Sequence, residues 1–133
     1  MEPNMFCYRC QETAKGTGCI LKGVCGKESH TAQAMDLLLF VVRGVSVVAD
    51  VLRKADCPVS EEVNIFVTDA LFCTITNANF DDESILKRVD KGITMRNGLI
   101  QEAKHNKVLL PKVDELTWQG TRDDYAGKAK TVG

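Results

Sequence analysis

The chain lacks an excess of charge of either sign. Its 133 residues carry 17 Lys and Arg against 18 Asp and Glu, a net charge of −1. No block of like charge is present to attract a phosphate backbone or anionic lipid, which argues against nucleic acid as a partner. A secretory signal is also missing: the start, MEPNMFCYRC, has an acidic second residue, an early proline and no apolar core. The most apolar stretch, MDLLLFVVRGVSVVADVL at 35–52, is interrupted by Asp36, Arg43 and Asp50. Each of these costs about 2.5–3.5 kcal/mol at a bilayer centre, and the unbroken runs fall far short of the ~20 residues a span needs. Internal repeats and low-complexity tracts are absent too. The expectation is a soluble cytoplasmic chain with no membrane partner.

What is present suits one compact domain: 44% hydrophobic and 26% charged residues in 133. That balance excludes wholesale disorder and a collagen-like chain, and folding would remove about two-thirds of the unfolded surface from water. The ending, GKAKTVG, does not read as finished. The length is therefore expected to mark a fragment boundary rather than a natural protein size.

Cysteine is the informative residue. Of six, Cys7, Cys10, Cys19 and Cys25 fall close together near the start, while Cys57 and Cys73 are isolated. Without an export signal, such a cluster points to metal binding or redox chemistry rather than a disulfide framework. The spacing is C-x2-C-x8-C-x5-C. A CxxC pair directs two sulfurs at one metal or cluster edge, and the two later cysteines return on glycine-containing loops. Four thiolates from one continuous loop is a common way to hold an iron–sulfur cluster. Zinc also accepts four thiolates, but zinc ribbons commonly use two CxxC knuckles and only one is present. Iron–sulfur ligation is thus favoured over a structural zinc module that presents a helical surface to a partner. A CxxC thiol redox sensor stands behind both.

The rest of the chain reads as helical. Residues 1–28 show no helix or strand period, and Gly16, Gly18, Gly23 and Gly26 suit a tight wrap around a small inorganic object. Ser29 or Thr31 offers a helix cap, and an apolar-rich helix is predicted to about Lys54. Its Asp36, Arg43 and Asp50 form one narrow stripe, so the remaining circumference needs cover on several sides. Valines at 45, 47 and 48 would also suit a strand, the rival reading there. After Cys57 and Pro58, Ser60 caps a second helix whose apolar face includes Val63, Phe66, Val67, Ala70, Leu71, Thr74 and Ala78. Asn79 to Asp82 cap a third, with Ile85, Val89, Ile93, Ile100 and Ala103 on one face. The predicted class is all-α: a Cys-rich cluster-binding loop at 1–28, then a three-helix bundle at 29–110. Residues 111–133 read as an irregular connection around Trp118 and a short helix, the truncated start of the next part of a longer protein.

The run MFCYRCQETAKGTGCILKGVCGK closely resembles the N-terminal signature of the hybrid-cluster proteins, also called prismane proteins or hydroxylamine reductases. The resemblance extends through the helical region to KAKTVG. It implies that Cys7, Cys10, Cys19 and Cys25 bind a cubane 4Fe–4S cluster, the type carried with this spacing, whereas a wider spacing goes with 2Fe–2S. Arg9 departs from the Gln frequent in the family and bears only on local polarity and cluster potential. It further implies a largely helical first domain that relays electrons to a separate hybrid iron–sulfur–oxygen cluster (4Fe–2S–2O type). That cluster would reduce hydroxylamine and related nitrogen oxides, with ligands in later domains that this chain does not contain. The implied partners are those domains and a redox donor protein, and the chain alone is expected to be catalytically incomplete.

The remaining candidates have simpler readings. Cys57 and Cys73 are expected to pack, as free cysteines usually do. His30 is expected to cap or to support the cluster loop from outside the ligand set, and His105 to be solvated. Phe6 and Tyr8 would shield the cluster or anchor the loop. Trp118 packs. Glu61/Glu62 and Asp81/Asp82 sit at helix starts, where dipole and cap duty explain them better than acid–base catalysis. The apolar helix at 35–52 implies more covering surface than a three-helix bundle supplies, so exposed apolar surface and self-association are expected.

Overall fold

The computed structural model describes residues 29–75 and 82–132, and every regular element in them is helical. The order is α1 (Ser29–Lys54), α2 (Glu61–Ile75), α3 (Asp82–His105), α4 (Asp114–Thr117) and α5 (Arg122–Val132). The all-α expectation holds, and the valine-rich part of α1 is helix rather than strand. The Cys-rich segment at 1–28 and the proposed caps Asn79 to Asp81 lie outside the described residues. Within the connection expected to be irregular, Asp114–Thr117 forms one short helical turn.

Helix α1 touches every other helix, and α3 is its main partner. Its start meets the start of α3 through His30 and Asp82, and Val41 lies against Gly92, so the two run parallel. Asp69 reaches Arg88 while Phe66 lies beside Gly92, which makes α2 antiparallel to α3. Met35, Leu37, Leu38, Val41, Val45, Val48 and Leu52 of α1 are completely buried, each Leu or Val contributing about 1.5–3 kcal/mol by leaving water. Arg43 and Asp50 occupy the exposed stripe, as their seven-residue spacing predicts. The apolar surface expected to remain open on α1 is largely closed. Helices α4 and α5 pack on it in addition to α2 and α3, because the chain after Pro111 folds back across it.

Among the described residues, the connections after α1 and α3 begin with the same backbone device. Asp56 and Lys107 adopt left-handed φ values of 60° and 57°. The next amides donate back to the last turn, Cys57 N to Leu52 O at 2.9 Å and Val108 N to Ala103 O at 2.8 Å. This is the paired closure of a Schellman motif, which ordinarily favours glycine at the left-handed position. It turns Cys57 and Val108 back against the core, which explains why Cys57 is half-buried.

The buried face of α3 differs from the expected one at a particular point. Ile85, Val89, Ile93 and Ala103 are buried, but Leu99 and Arg96 take the place of Ile100. The reason is Gly92, whose missing side chain lets α1 and α2 close in: a Cβ there would lie 2.5 Å from Val41 and 2.9 Å from Phe66. That close approach centres the contact on the 92/96/99 side. Arg96 is fully buried, with Nη1 donating to the Glu115 carbonyl at 3.2 Å and Nε and Nη2 donating to Asn97 Oδ1. Gly44 lies under the same carbonyl, where a Cβ would come within 2.4 Å of it. Helix α4 is thereby seated on α1.

Helix α5 is held by charge as well as by Tyr125 and Ala129, both buried. Arg122 donates to Asp90 at 2.7 Å and to Glu83 at 3.0 Å, and the Tyr125 hydroxyl donates to Asp90 at 2.6 Å. Lys128 pairs with Asp114 and lies 4.8 Å over the Phe40 ring. Trp118 packs edge-on to Phe40 at 6.1 Å between centroids, as its packing role predicts.

Two outcomes are expected. Gly92→Ala should destabilise the fold by about 1–3 kcal/mol through overpacking, despite the better helix propensity of alanine. Gly98→Ala, with nothing within 4 Å of the new methyl, should stabilise it by about 0.5–1 kcal/mol. Urea denaturation of both variants checks the pair. The second concerns acid. Hydrogen bonding to Arg122 holds the Asp90 and Glu83 carboxyls below their ordinary values. Folding therefore gains stability above the unfolded carboxylate range of about 4 and loses it as pH falls through the lowered values. Arg122→Gln should flatten that acid-side rise in stability, measured by thermal unfolding across the acid range, and an unchanged pH profile would contradict it.

Candidate functional site

The four cysteines of the sequence motif, Cys7, Cys10, Cys19 and Cys25, lie outside the described residues. In chain order they precede α1, whose first turn is described next. Ser29 begins the helix, which places Thr31 inside the first turn rather than at its cap. Thr31 is buried, and its hydroxyl donates to Asp82 Oδ1 at 2.6 Å. The other Asp82 oxygen pairs with Nδ1 of His30. Asp82 therefore ties the start of α3 to the start of α1, a role beyond the cap expected of it. His30 acts as a staple between helices, with its ring largely exposed.

Beside this joint is a recess of about 190 Å³ between α1, α3 and α5. Ala34, Leu37, Leu86, Ala126 and Ala129 supply apolar walls, and His30, Gln33, Asp82, Arg122 and Tyr125 stand at its polar side. Most of those polar groups are already committed. His30 and Thr31 use Asp82, while Arg122 and Tyr125 use Asp90. The Arg122 guanidinium is pushed above its ordinary pKa by hydrogen bonds to Asp90 and then Glu83. Burial, followed by the bond to Asp90, raises the Tyr125 phenol. Both groups stay protonated at neutral pH. The arrangement locks helices together and, among the described residues, offers no free nucleophile or general base.

The other candidates are equally structural. Ser60 accepts a hydrogen bond from the Glu62 amide at 3.3 Å, the expected N-cap, with Glu61 and Glu62 exposed in the first turn of α2. Acid–base chemistry has no support there. Cys73 belongs to the buried core and Cys57 packs against it. His105 is exposed at the end of α3. Among the described residues no three His, Cys, Asp or Glu side chains come together as a metal site, and no helix is long and apolar enough to cross a membrane.

Three side chains that organise this region were not singled out from sequence: Arg96, Arg122 and Lys128. Arg96 carried a readable signal. It falls three residues after Ile93 and seven before Ala103, on the helical stripe of buried positions. Its charge masked the pattern. Arg122 and Lys128 carried none, because their partners lie on other helices.

Comparison with known proteins places these observations. The family model described as Prismane/CO dehydrogenase family matches residues 5–132, a stretch that includes all four clustered cysteines. A protein named hydroxylamine reductase from Bacteroides thetaiotaomicron is 51% identical over 131 residues, covering 98% of this chain and 23% of its own. Proteins of the same name from Porphyromonas gingivalis and Nitratidesulfovibrio vulgaris are 43% and 41% identical, over 100% and 97% of this chain and 24% of each relative. The chain spans about a quarter of the length of the curated relatives it matches. With a family match running through nearly every residue of the helical fold, the chain belongs to the Prismane/CO dehydrogenase family.

Proposed function

We propose that this chain is the electron-transfer module of a hydroxylamine reductase-like oxidoreductase, holding a 4Fe–4S cluster through Cys7, Cys10, Cys19 and Cys25. The observation that carries the reading is the C-x2-C-x8-C-x5-C spacing inside the part of the chain matched by an iron–sulfur protein family. The relatives' shared name supports the reaction class. Four thiolates are a donor set suited to such a cluster, which when bound accepts and passes on single electrons. The work of the protein is to hold it. The cysteines supply the four ligands, and the intervening glycines allow backbone amides to approach the sulfurs, which tunes the potential. The far end of the segment leads into α1, the most completely buried helix, whose first turn is tied to α3 by Asp82.

In this reading, reduction of hydroxylamine takes place at a second, hybrid cluster whose ligands lie in the rest of the longer protein, with electrons arriving from a redox donor protein.

Anaerobically prepared chain should be brown, absorb broadly near about 400 nm and contain about four irons with matching sulfide. Replacing any of the four clustered cysteines with Ala should lower the iron content, whereas Cys57→Ala and Cys73→Ala should leave it unchanged. Colourless protein with stoichiometric zinc overturns the assignment. The chain alone should show no hydroxylamine turnover above free cluster. Turnover matching that of an intact relative would place the reactive site within these residues.

A further inference from the structure

Among the described residues, helix α2 is the element that carries the most exposed apolar surface. It buries Val63, Phe66, Ala70 and Cys73 on its inner side. Its outer side carries Ile65 and Phe72, each 63% exposed, with Leu71 beside them at 43%. Ile65 and Phe72 are seven residues apart, so they stand two turns apart on one helical face. Three of the five exposed large apolar side chains among the described residues are on this one helix. Ile65 and Phe72 line a shallow groove of about 440 Å³ with Glu61, Asn64, Thr68 and Asp69. A helix apolar on both sides is one that is covered on both sides. The requirement first read into α1 thus falls on α2.

We infer that the outward face of α2 is where the remaining polypeptide of the full-length protein packs against this helical unit. This rests on family membership and the relatives' lengths, and is independent of which cluster the cysteines hold. Each relative matches nearly all of this chain but only about a quarter of itself, so most of such a polypeptide lies outside the described helices. Covalent linkage presents that polypeptide at an effective concentration in the millimolar range, well ahead of a second copy at ordinary protein concentrations. The chemistry of the face specifies its cover. Helix α2 contains no Lys or Arg, and Asp69 is already paired with Arg88, which leaves Glu61 and Glu62 as the acidic end. The covering segment should bring aliphatic or aromatic side chains to Ile65 and Phe72, with Lys or Arg towards Glu61 and Glu62.

Hydroxyl-radical footprinting read by mass spectrometry tests this on two proteins: the 133-residue chain and the full-length polypeptide containing it. Ile65, Leu71 and Phe72 should be oxidised readily in the chain and several-fold more slowly in the full-length protein, while Leu109 serves as an exposed reference. Equal oxidation in both proteins overturns the inference. So does protection already present in the chain at dilutions where it is monomeric, since the cover then belongs to the chain itself. Protection that appears only as the chain is concentrated, with the full-length protein still reactive, assigns the face to a second copy and also overturns it. As a second measurement, Ile65→Ser with Phe72→Ser should leave the unfolding midpoint of the chain nearly unchanged. The same pair should render α2 cleavable by protease in the full-length protein, and continued resistance counts against the proposal.

Discussion

Burial of α1 is the constraint on which the other elements depend. A long helix that is apolar around most of its circumference has no stable isolated state in water, and one neighbour covers only a stripe of it. Four helices therefore pack on it: α3 alongside, α2 with Phe66 near the α1–α3 contact, and α4 and α5 after the chain turns back. The single open strip holds Arg43 and Asp50, the polar groups that would be most costly to enclose. Glycine sets how close the neighbours come. Gly92 admits Val41 and Phe66, and Gly44 admits the α4 backbone.

Polar joints decide where the late helices sit. Hydrophobic burial is non-directional and would tolerate several placements of a short helix such as α5. Arg122 between Asp90 and Glu83, Lys128 between Asp114 and the Phe40 ring, and Arg96 beneath the Glu115 carbonyl each select one. The exposed pairs contribute little energy in water, so their effect is on register more than on stability. Arg96 is different, because it is fully enclosed and satisfied by a carbonyl and an amide. Removing either acceptor would leave a buried cation short of a partner.

Much of this architecture was legible along the chain. The helix spans follow largely from period and capping: Ser60 caps α2 as its position predicts, and the seven-residue recurrence of Asp36, Arg43 and Asp50 marks the polar stripe of α1. The proposed site rests on sequence alone, since C-x2-C-x8-C-x5-C is a local pattern whose chemistry depends on residue type and spacing. What was not legible involves pairs distant in sequence. Asp82 reads as a helix cap until it is seen to meet Thr31 and His30. Arg96 reads as surface until Gly92 draws the contact onto its side of α3.

The sequence by itself determined that the described residues are helical, roughly where their long helices run, and which thiolates a cluster would draw on. These are short-range properties, set by hydrogen-bond periodicity, capping and ligand chemistry within a few turns of chain. Only the tertiary structure decided which apolar helix is left uncovered. Judged by composition, α1 was the helix expected to remain open, and instead the returning chain encloses it while Ile65 and Phe72 of α2 face outward. Periodicity states how much apolar surface a helix carries. Which neighbour covers it depends on the order in which short connections bring helices together in space.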